Sequence, residues 1–142
     1  AKALRFYQQG LTIQQTIGDR SAEGHTLNSI GTAYDNLGQI TKATTYYQQA
    51  LAIRREIGDR AGEARTLTNL GGVYDSLKQP DRALMFYQQA LAIRRKIGDR
   101  AGEGITLNSL GLTYSELGQK QQAQTLYQQA LTIHQTTGDR AR

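Results

Sequence analysis

The sequence predicts an all-α protein built from a repeated pair of antiparallel helices. The tripeptide Gly-Asp-Arg begins at residues 18, 58, 98 and 138, so the chain repeats with a period of 40 residues. About half of the positions are identical when consecutive 40-residue segments are aligned without a gap. A fixed period between about 20 and 50 residues is typical of stacked repeat arrays. Apolar residues within each period follow helical spacing and show no strand-like alternation, so the repeated unit is helix–turn–helix.

The second repeat shows how each helix is specified. Helical spacing at i, i+3 and i+7 is seen for Leu67, Leu70 and Tyr74. It predicts a first helix over Arg60–Leu77, with Asp59 as its N-cap. A second helix over Asp81–Ile97 is opened by the preceding proline, a residue that favours the first helical turn.

Applied along the chain, this unit predicts seven helices in a single domain, residues 1–142. The order begins with an orphan second helix and then alternates first and second helices. The segments are an orphan helix at 1–17, full repeats at 18–57, 58–97 and 98–137, and the start of a further repeat at 138–142. The last second helix is expected to span Gln121–Thr137.

The core positions resemble those of the tetratricopeptide repeat (TPR). The pattern is Leu67-x-x-Leu70-Gly71-x-x-Tyr74 followed by Ala83, Tyr87 and Ala90, with Leu in place of the usual Trp. It recurs as Leu27, Ile30, Gly31, Tyr34, Ala43, Tyr47 and Ala50, and as Leu107, Leu110, Gly111, Tyr114, Ala123, Tyr127 and Ala130. A typical repeat has about 34 residues, so this longer unit is similar to those of kinesin light chains, Pins-type polarity adaptors and bacterial multi-repeat proteins. The resemblance implies a right-handed α-solenoid that acts as a protein-interaction scaffold.

Two groups of glycines lie inside the first helices. Gly31, Gly71 and Gly111 recur every 40 residues, and we expect them to admit the alanines of the second helix, with Tyr34, Tyr74 and Tyr114 filling the adjacent space. On this interpretation Gly71→Leu disrupts a helix crossing by overpacking. Gly62, by contrast, is treated as an ordinary helical position, where alanine is expected to stabilise the protein.

Composition limits the classes of function. The chain has 142 residues, a net charge of +5 and no cysteine, which fits a reducing compartment and leads us to expect a cytoplasmic protein. No apolar run reaches the length of about 18 residues needed for a membrane helix. The basic pairs Arg54-Arg55 and Arg94-Arg95 are interpreted as solvated helix faces rather than a nucleic-acid surface, because no aromatic residue alternates with them.

Catalytic motifs are weak in this sequence. His25 and His134 lie on different repeats, so no histidine cluster for a metal is expected. His25 and Ser29 share a helix face with Asp35, but an exposed helix surface lacks the pocket and oxyanion donors of a catalytic triad. The glycines form no phosphate-binding motif. We therefore expect neither an enzyme nor a cofactor.

The predicted partner site is the concave face lined by the first helices, where residues differ most between repeats. Its candidate residues are His25, Asn28, Thr32, Asp35, Arg65, Thr68, Asp75, Ile105, Asn108, Leu112 and Ser115. Amide side chains both donate to and accept from a peptide backbone, so Asn28 and Asn108 suit an extended ligand. Related long-repeat adaptors use groove asparagines in this way. Two alternatives stay open: a structural spacer in a larger protein, and nucleic-acid binding through the second helices.

The terminal helices suggest self-association. Arrays of stacked repeats normally finish in polar capping repeats, and this sequence shows none. We expect some of Leu126, Leu131 and Ile133, and parts of Leu4, Phe6, Tyr7 and Ile13, to be exposed. Apolar strips of this kind tend to find a partner, either two-fold or end-to-end.

Overall fold

The computed structural model describes residues 2–140, apart from the side chains of residues 139 and 140. Residue 1 and residues 141–142, which belong to the predicted terminal segments, lie outside the described part of the chain. Seven α-helices follow one another within the described residues, as the sequence predicts. They are α1 (Lys2–Ile17), α2 (Arg20–Asn36), α3 (Ile40–Glu56), α4 (Arg60–Ser76), α5 (Pro80–Ile97), α6 (Arg100–Glu116) and α7 (Lys120–Arg140).

The repeated Gly-Asp-Arg tripeptide ends one helix and starts the next. In α4 the Asp59 carboxylate accepts a hydrogen bond from the Gly62 backbone N–H, the N-cap arrangement that the sequence predicts. The glycine before it has a φ of 73° in this repeat, a left-handed conformation that favours glycine. The fourth tripeptide behaves differently, because α7 continues through Gly138 to Arg140 instead of ending at Thr137.

Helix pairs stack in chain order. Each first helix packs most closely against the second helix that follows it, in the pairs α2–α3, α4–α5 and α6–α7. Each second helix also contacts the next first helix, as α3 contacts α4 and α5 contacts α6. The largest buried clusters therefore bridge consecutive repeats, and Tyr47 of α3 shares one with Leu67, Leu70 and Val73 of α4. Stability in such an array comes from each repeat and its interfaces with its neighbours.

The glycines inside the first helices have a different partner from the one that the sequence analysis assigns. A Cβ atom built on Gly71 would lie 2.5 Å from Cε1 of Tyr87, and Gly31 and Gly111 meet Tyr47 and Tyr127 in the same way. The crossing therefore accommodates a tyrosine ring of the second helix packed directly against the glycine. The expectation that the alanines Ala43, Ala83 and Ala123 meet these glycines is wrong. Tyr34, Tyr74 and Tyr114 pack at the margins of the core.

The tyrosines of the first helices stack further out. Tyr34 lies parallel to Tyr46 with ring centroids 5.5 Å apart, and Tyr74 lies parallel to Phe86 at 5.3 Å. Lys42 sits over the Tyr34 ring at 5.3 Å, which adds a cation–π contact. These residues join the two helices of one repeat and form no ligand cage.

Candidate functional site

Consecutive first helices are joined directly by polar side chains. The amide oxygen of Asn28 in α2 accepts hydrogen bonds from Thr66 Oγ1 at 3.0 Å and from Asn69 Nδ2 at 3.1 Å, both in α4. Farther along, the Thr113 hydroxyl of α6 donates to Asp75 Oδ2 of α4 at 3.3 Å. The first helices thus form one continuous surface, which is the face that carries the predicted partner site.

Most of the predicted site residues are accessible on this surface. His25, Thr32, Arg65, Ile105, Leu112 and Ser115 are exposed, whereas Asp35, Thr68, Asp75 and Asn108 are half-buried. Asn28 is the exception, since only 7% of it is exposed. Its amide oxygen is already occupied by the two hydrogen bonds from α4, so its expected role in reading a peptide backbone is not supported by this geometry. A helical wheel places Asn28 on the groove face but gives no sign that the next first helix covers it.

Two aliphatic side chains form the apolar part of the face. Ile105 is 54% exposed and Leu112 is 57% exposed, and they lie two turns apart on α6. Asn108 lies between them and is half-buried. Exposed aliphatic residues beside amide groups provide apolar contact area and hydrogen-bonding groups at one place, which suits a peptide chain.

An acidic region lies where the first helices end. A pocket of about 290 Å³ is lined by Asp75, Glu116 and Lys78. Proximity to the Asp75 carboxyl group raises the pKa of Glu116, because a proton shared between the two groups favours the protonated form, and partial burial and charge repulsion act in the same direction. Tyr87 lies beneath this region: burial, with the negative charges of Asp75 and Glu116, raises its pKa to about 12. This end of the face is suited to contact with basic groups.

The first arginine of each basic pair does not lie on a solvated face, contrary to the sequence interpretation, whereas the second arginines Arg55 and Arg95 are exposed. Arg54 is only 3% exposed, and its Nη1 donates to the Gly62 carbonyl at 3.0 Å and to Thr66 Oγ1 at 2.9 Å. Arg94 makes the equivalent bonds to Gly102 and Thr106 in the next repeat. The first arginine of each pair therefore links a second helix to the following first helix by hydrogen bonds.

The second arginine of each pair binds a buried glutamate. Arg55 Nε lies 3.0 Å from Glu63 Oε2, and Arg60 Nη1 lies 2.7 Å from Glu63 Oε1. Arg95, Arg100 and Glu103 repeat this arrangement. Sequence analysis missed the role of these glutamates, although they recur every 40 residues in the first helical turn. With their arginines paired, these positions do not form a free cationic surface for nucleic acid.

The described residues 2–140 contain neither a metal-binding cluster nor a membrane-spanning helix. No group of three or more His, Asp or Glu side chains is arranged to hold a metal ion in this part of the chain. None of the described helices is both long and apolar enough to cross a bilayer.

The fold and this surface define a class of protein, the helical-repeat solenoids. The family model of the tetratricopeptide repeat matches residues 1–56, 26–96 and 62–136. The chain belongs to the tetratricopeptide repeat family, which supports a general role in protein–protein interaction. No curated protein sequence matches the chain significantly.

Solved structures with the same architecture include BtubC (BKLC) from P. vanneervenii, at 26% identity and a TM-score of 0.87 over 95% of this chain. The chain spans 56% of that protein. The TPR domain of Arabidopsis FLU aligns at 20% identity and a TM-score of 0.76, covering 82% of this chain and 98% of the domain. A putative kinesin light chain from Podosopora anserina aligns at 22% identity and a TM-score of 0.73. The alignment covers 96% of this chain and 67% of the other. These similarities confirm the predicted right-handed α-solenoid.

Proposed function

We propose that this protein is a non-enzymatic scaffold that binds a peptide segment of a partner protein on the concave face formed by α2, α4 and α6. The ligand is a peptide or an extended protein segment, and no cofactor is required. The residues proposed to contact it are His25, Thr32, Asp35, Arg65, Thr68, Asp75, Ile105, Asn108, Leu112 and Ser115. The absence of cysteine supports a cytoplasmic location.

The observation that carries this proposal is the exposure of Ile105 and Leu112 on a face that is otherwise polar. Neither side chain belongs to the buried clusters that hold the repeats together. Large aliphatic side chains exposed together on one face are a feature of binding surfaces, because covering them on association releases water from apolar area.

A matched pair of variants tests the groove. Peptides selected from a random display library on the wild-type protein are measured by isothermal titration calorimetry against Leu112→Ser and Met85→Ser. Both side chains are 57% exposed, but Met85 lies on the second helix α5. Loss of a buried aliphatic contact is expected to weaken binding to Leu112→Ser by about tenfold or more, while Met85→Ser binds as the wild type does. Failure to select any peptide, or equal effects of the two variants, contradicts the proposed groove and favours the spacer alternative.

Self-association through the terminal helices is a second proposal, supported by exposure on α1. Phe6 is 74% exposed, and Ile13 and Ile17 are also largely exposed. Phe6 stands one period before Tyr46 and two periods before Phe86, which both stack on a tyrosine of their own repeat. At the other end Leu131 is exposed, whereas Leu126 and Ile133 are buried.

Light scattering over a dilution series is the measurement for this second proposal. We expect the average mass to fall on dilution, and Phe6→Ser to shift the protein towards the monomer because it removes the most exposed aromatic ring. A mass that stays monomeric at the highest concentrations reached contradicts this proposal.

A further inference from the structure

The C-terminal ends of α4 and α6 bring two carboxyl groups together. Asp75 of α4 and Glu116 of α6 line one pocket of about 290 Å³, and Lys78 from the turn after α4 lines it as well. The equivalent residues one period earlier are Asp35 and Ser76. The junction between α2 and α4 therefore has a hydroxyl group where the junction between α4 and α6 has its second carboxyl group.

Asp75 has one oxygen with a hydrogen bond and one without. Its Oδ2 accepts a hydrogen bond from the Thr113 hydroxyl of α6 at 3.3 Å. Its Oδ1 is buried and has no hydrogen-bond donor among the described residues. A buried acceptor is normally paired, and a protonated carboxyl group carries an O–H that can donate to it. Glu116, the neighbouring carboxyl group, is able to supply that donor when it is protonated.

Glu116 also has a cation nearby. Lys78 lines both of the pockets that Glu116 lines, with volumes of about 290 and 380 Å³. The φ of Lys78 is 59°, a left-handed conformation, whereas the equivalent positions in the other two turns are Gly38 and Gly118. A residue other than glycine is strained in this conformation, and such strain is found where the surrounding structure holds it, often at switch regions. Lys78 therefore provides Glu116 with a second partner, of opposite charge.

We propose that Glu116 changes partner with pH and so controls the contact between α4 and α6. When protonated, its carboxyl O–H donates to Asp75 Oδ1 and joins the two helices beside the Thr113 hydrogen bond. When ionised, Glu116 is repelled by the Asp75 carboxylate and attracted by the Lys78 ammonium group. The proton therefore determines how firmly the end of α6 is held against α4. This device is a property of the fold and does not depend on which partner the concave face binds.

The charges around Glu116 set the direction of the response. A proton shared with Asp75, followed by partial burial and charge repulsion, raises the pKa of Glu116, and Lys78 lowers it in part. Tyr87 of α5 stays neutral, because burial and the two carboxylates raise its pKa to about 12. Lys120, at the start of α7, lines a separate pocket. Since folding raises the pKa of Glu116, the shared proton stabilises the folded protein below the ordinary value of 4.5, and this contribution is lost as the pH rises through the folded value.

Carbon-13 NMR of the side-chain carboxyl groups, followed from acidic to neutral pH, tests the exchange of partners. The Glu116 signal is expected to titrate with a midpoint above its ordinary value, and the Asp75 signal is expected to report the same step. Asp75→Asn is expected to lower the Glu116 midpoint. Lys78→Gly reproduces the other two turns and is expected to raise it, because the ionised form loses its cation. Asp35→Asn is the matched control at the junction with Ser76 and is expected to leave the midpoint unchanged.

Urea denaturation and amide hydrogen exchange over the same pH range test the effect on the junction. Glu116→Ser reproduces the junction between α2 and α4 and provides the reference. The wild type is expected to gain stability relative to this variant as the pH falls, and exchange protection at the end of α6 is expected to rise with it. Four outcomes overturn the proposal: a Glu116 midpoint at or below the ordinary value, a midpoint that Asp75→Asn does not lower, a midpoint that Lys78→Gly does not raise, or the same pH dependence of stability in the wild type and in Glu116→Ser.

Discussion

Replacing Gly71 by leucine is expected to lower the free energy of unfolding by about 3 kcal/mol, the upper part of the range for overpacking a core. The reason is the Tyr87 ring, since even a Cβ atom at this position would lie 2.5 Å from Cε1 and 2.7 Å from Cδ1. The ring has little room to move, because it is buried against Leu107 and Leu110 of the next repeat. Urea denaturation followed by circular dichroism gives the free-energy difference.

The adjacent glycine provides the control for this prediction. A Cβ atom on Gly72 would meet only the Tyr87 hydroxyl oxygen, at 3.8 Å, which is an ordinary contact. Gly72→Ala is therefore expected to stabilise the protein by about 0.4–1 kcal/mol through the lower entropy of the unfolded chain. Gly71→Ala is expected to destabilise it. If both alanine variants shift stability in the same direction by similar amounts, the Tyr87 ring does not limit the crossing.

The architecture was predictable because the same sequence pattern recurs in every 40-residue repeat. Helical periodicity, the Asp59 cap and the proline before Asp81 place the helix ends of the second repeat within one residue of those observed. The residue that packs against Gly71 was harder to predict. A first-helix tyrosine and a second-helix tyrosine recur with the same period, so spacing alone does not say which ring lies over the glycine.

The candidate site was predictable as a face but not residue by residue. A helical wheel correctly predicts that Arg65, Ile105 and Leu112 are accessible, because the position of each residue around the wheel depends only on its own helix. It fails for Asn28, since burial there depends on how closely α4 approaches α2. The bonds of Arg54 to Gly62 and Thr66 were missed for the same reason, because a second-helix residue reaches the next first helix only through the packing of consecutive repeats.

A comparison between repeats shows paired residue changes that reflect how consecutive repeats pack. Residues eight apart across each junction change together, as Gln14 with Ala22, Arg54 with Gly62 and Arg94 with Gly102. The structure explains the pattern, because a Cβ atom on Gly62 would lie 2.8 Å from Arg54 Cδ and would also collide with the Asp59 carboxylate. Alanine is present only at the junction where the arginine is absent. The expectation that Gly62→Ala stabilises the protein is therefore wrong in its premise, since Gly62 is not an ordinary helical position.

Gly62→Ala is now expected to destabilise the wild-type protein by about 1–2 kcal/mol, because Arg54 and Asp59 must shift from their bonded positions. In an Arg54→Gln background the same change is expected to stabilise by about 0.4–1 kcal/mol, since the pair then matches Gln14 and Ala22 of the first junction. Asp19 caps α2 while bonded to the Ala22 N–H at 3.1 Å, so an alanine is compatible with the cap once the arginine is gone. A double-mutant cycle from urea denaturation measures the coupling, expected to be about 1.5–3 kcal/mol. An additive cycle would mean that the arginine does not require the glycine, and that the glycines at Gly62 and Gly102 have another cause.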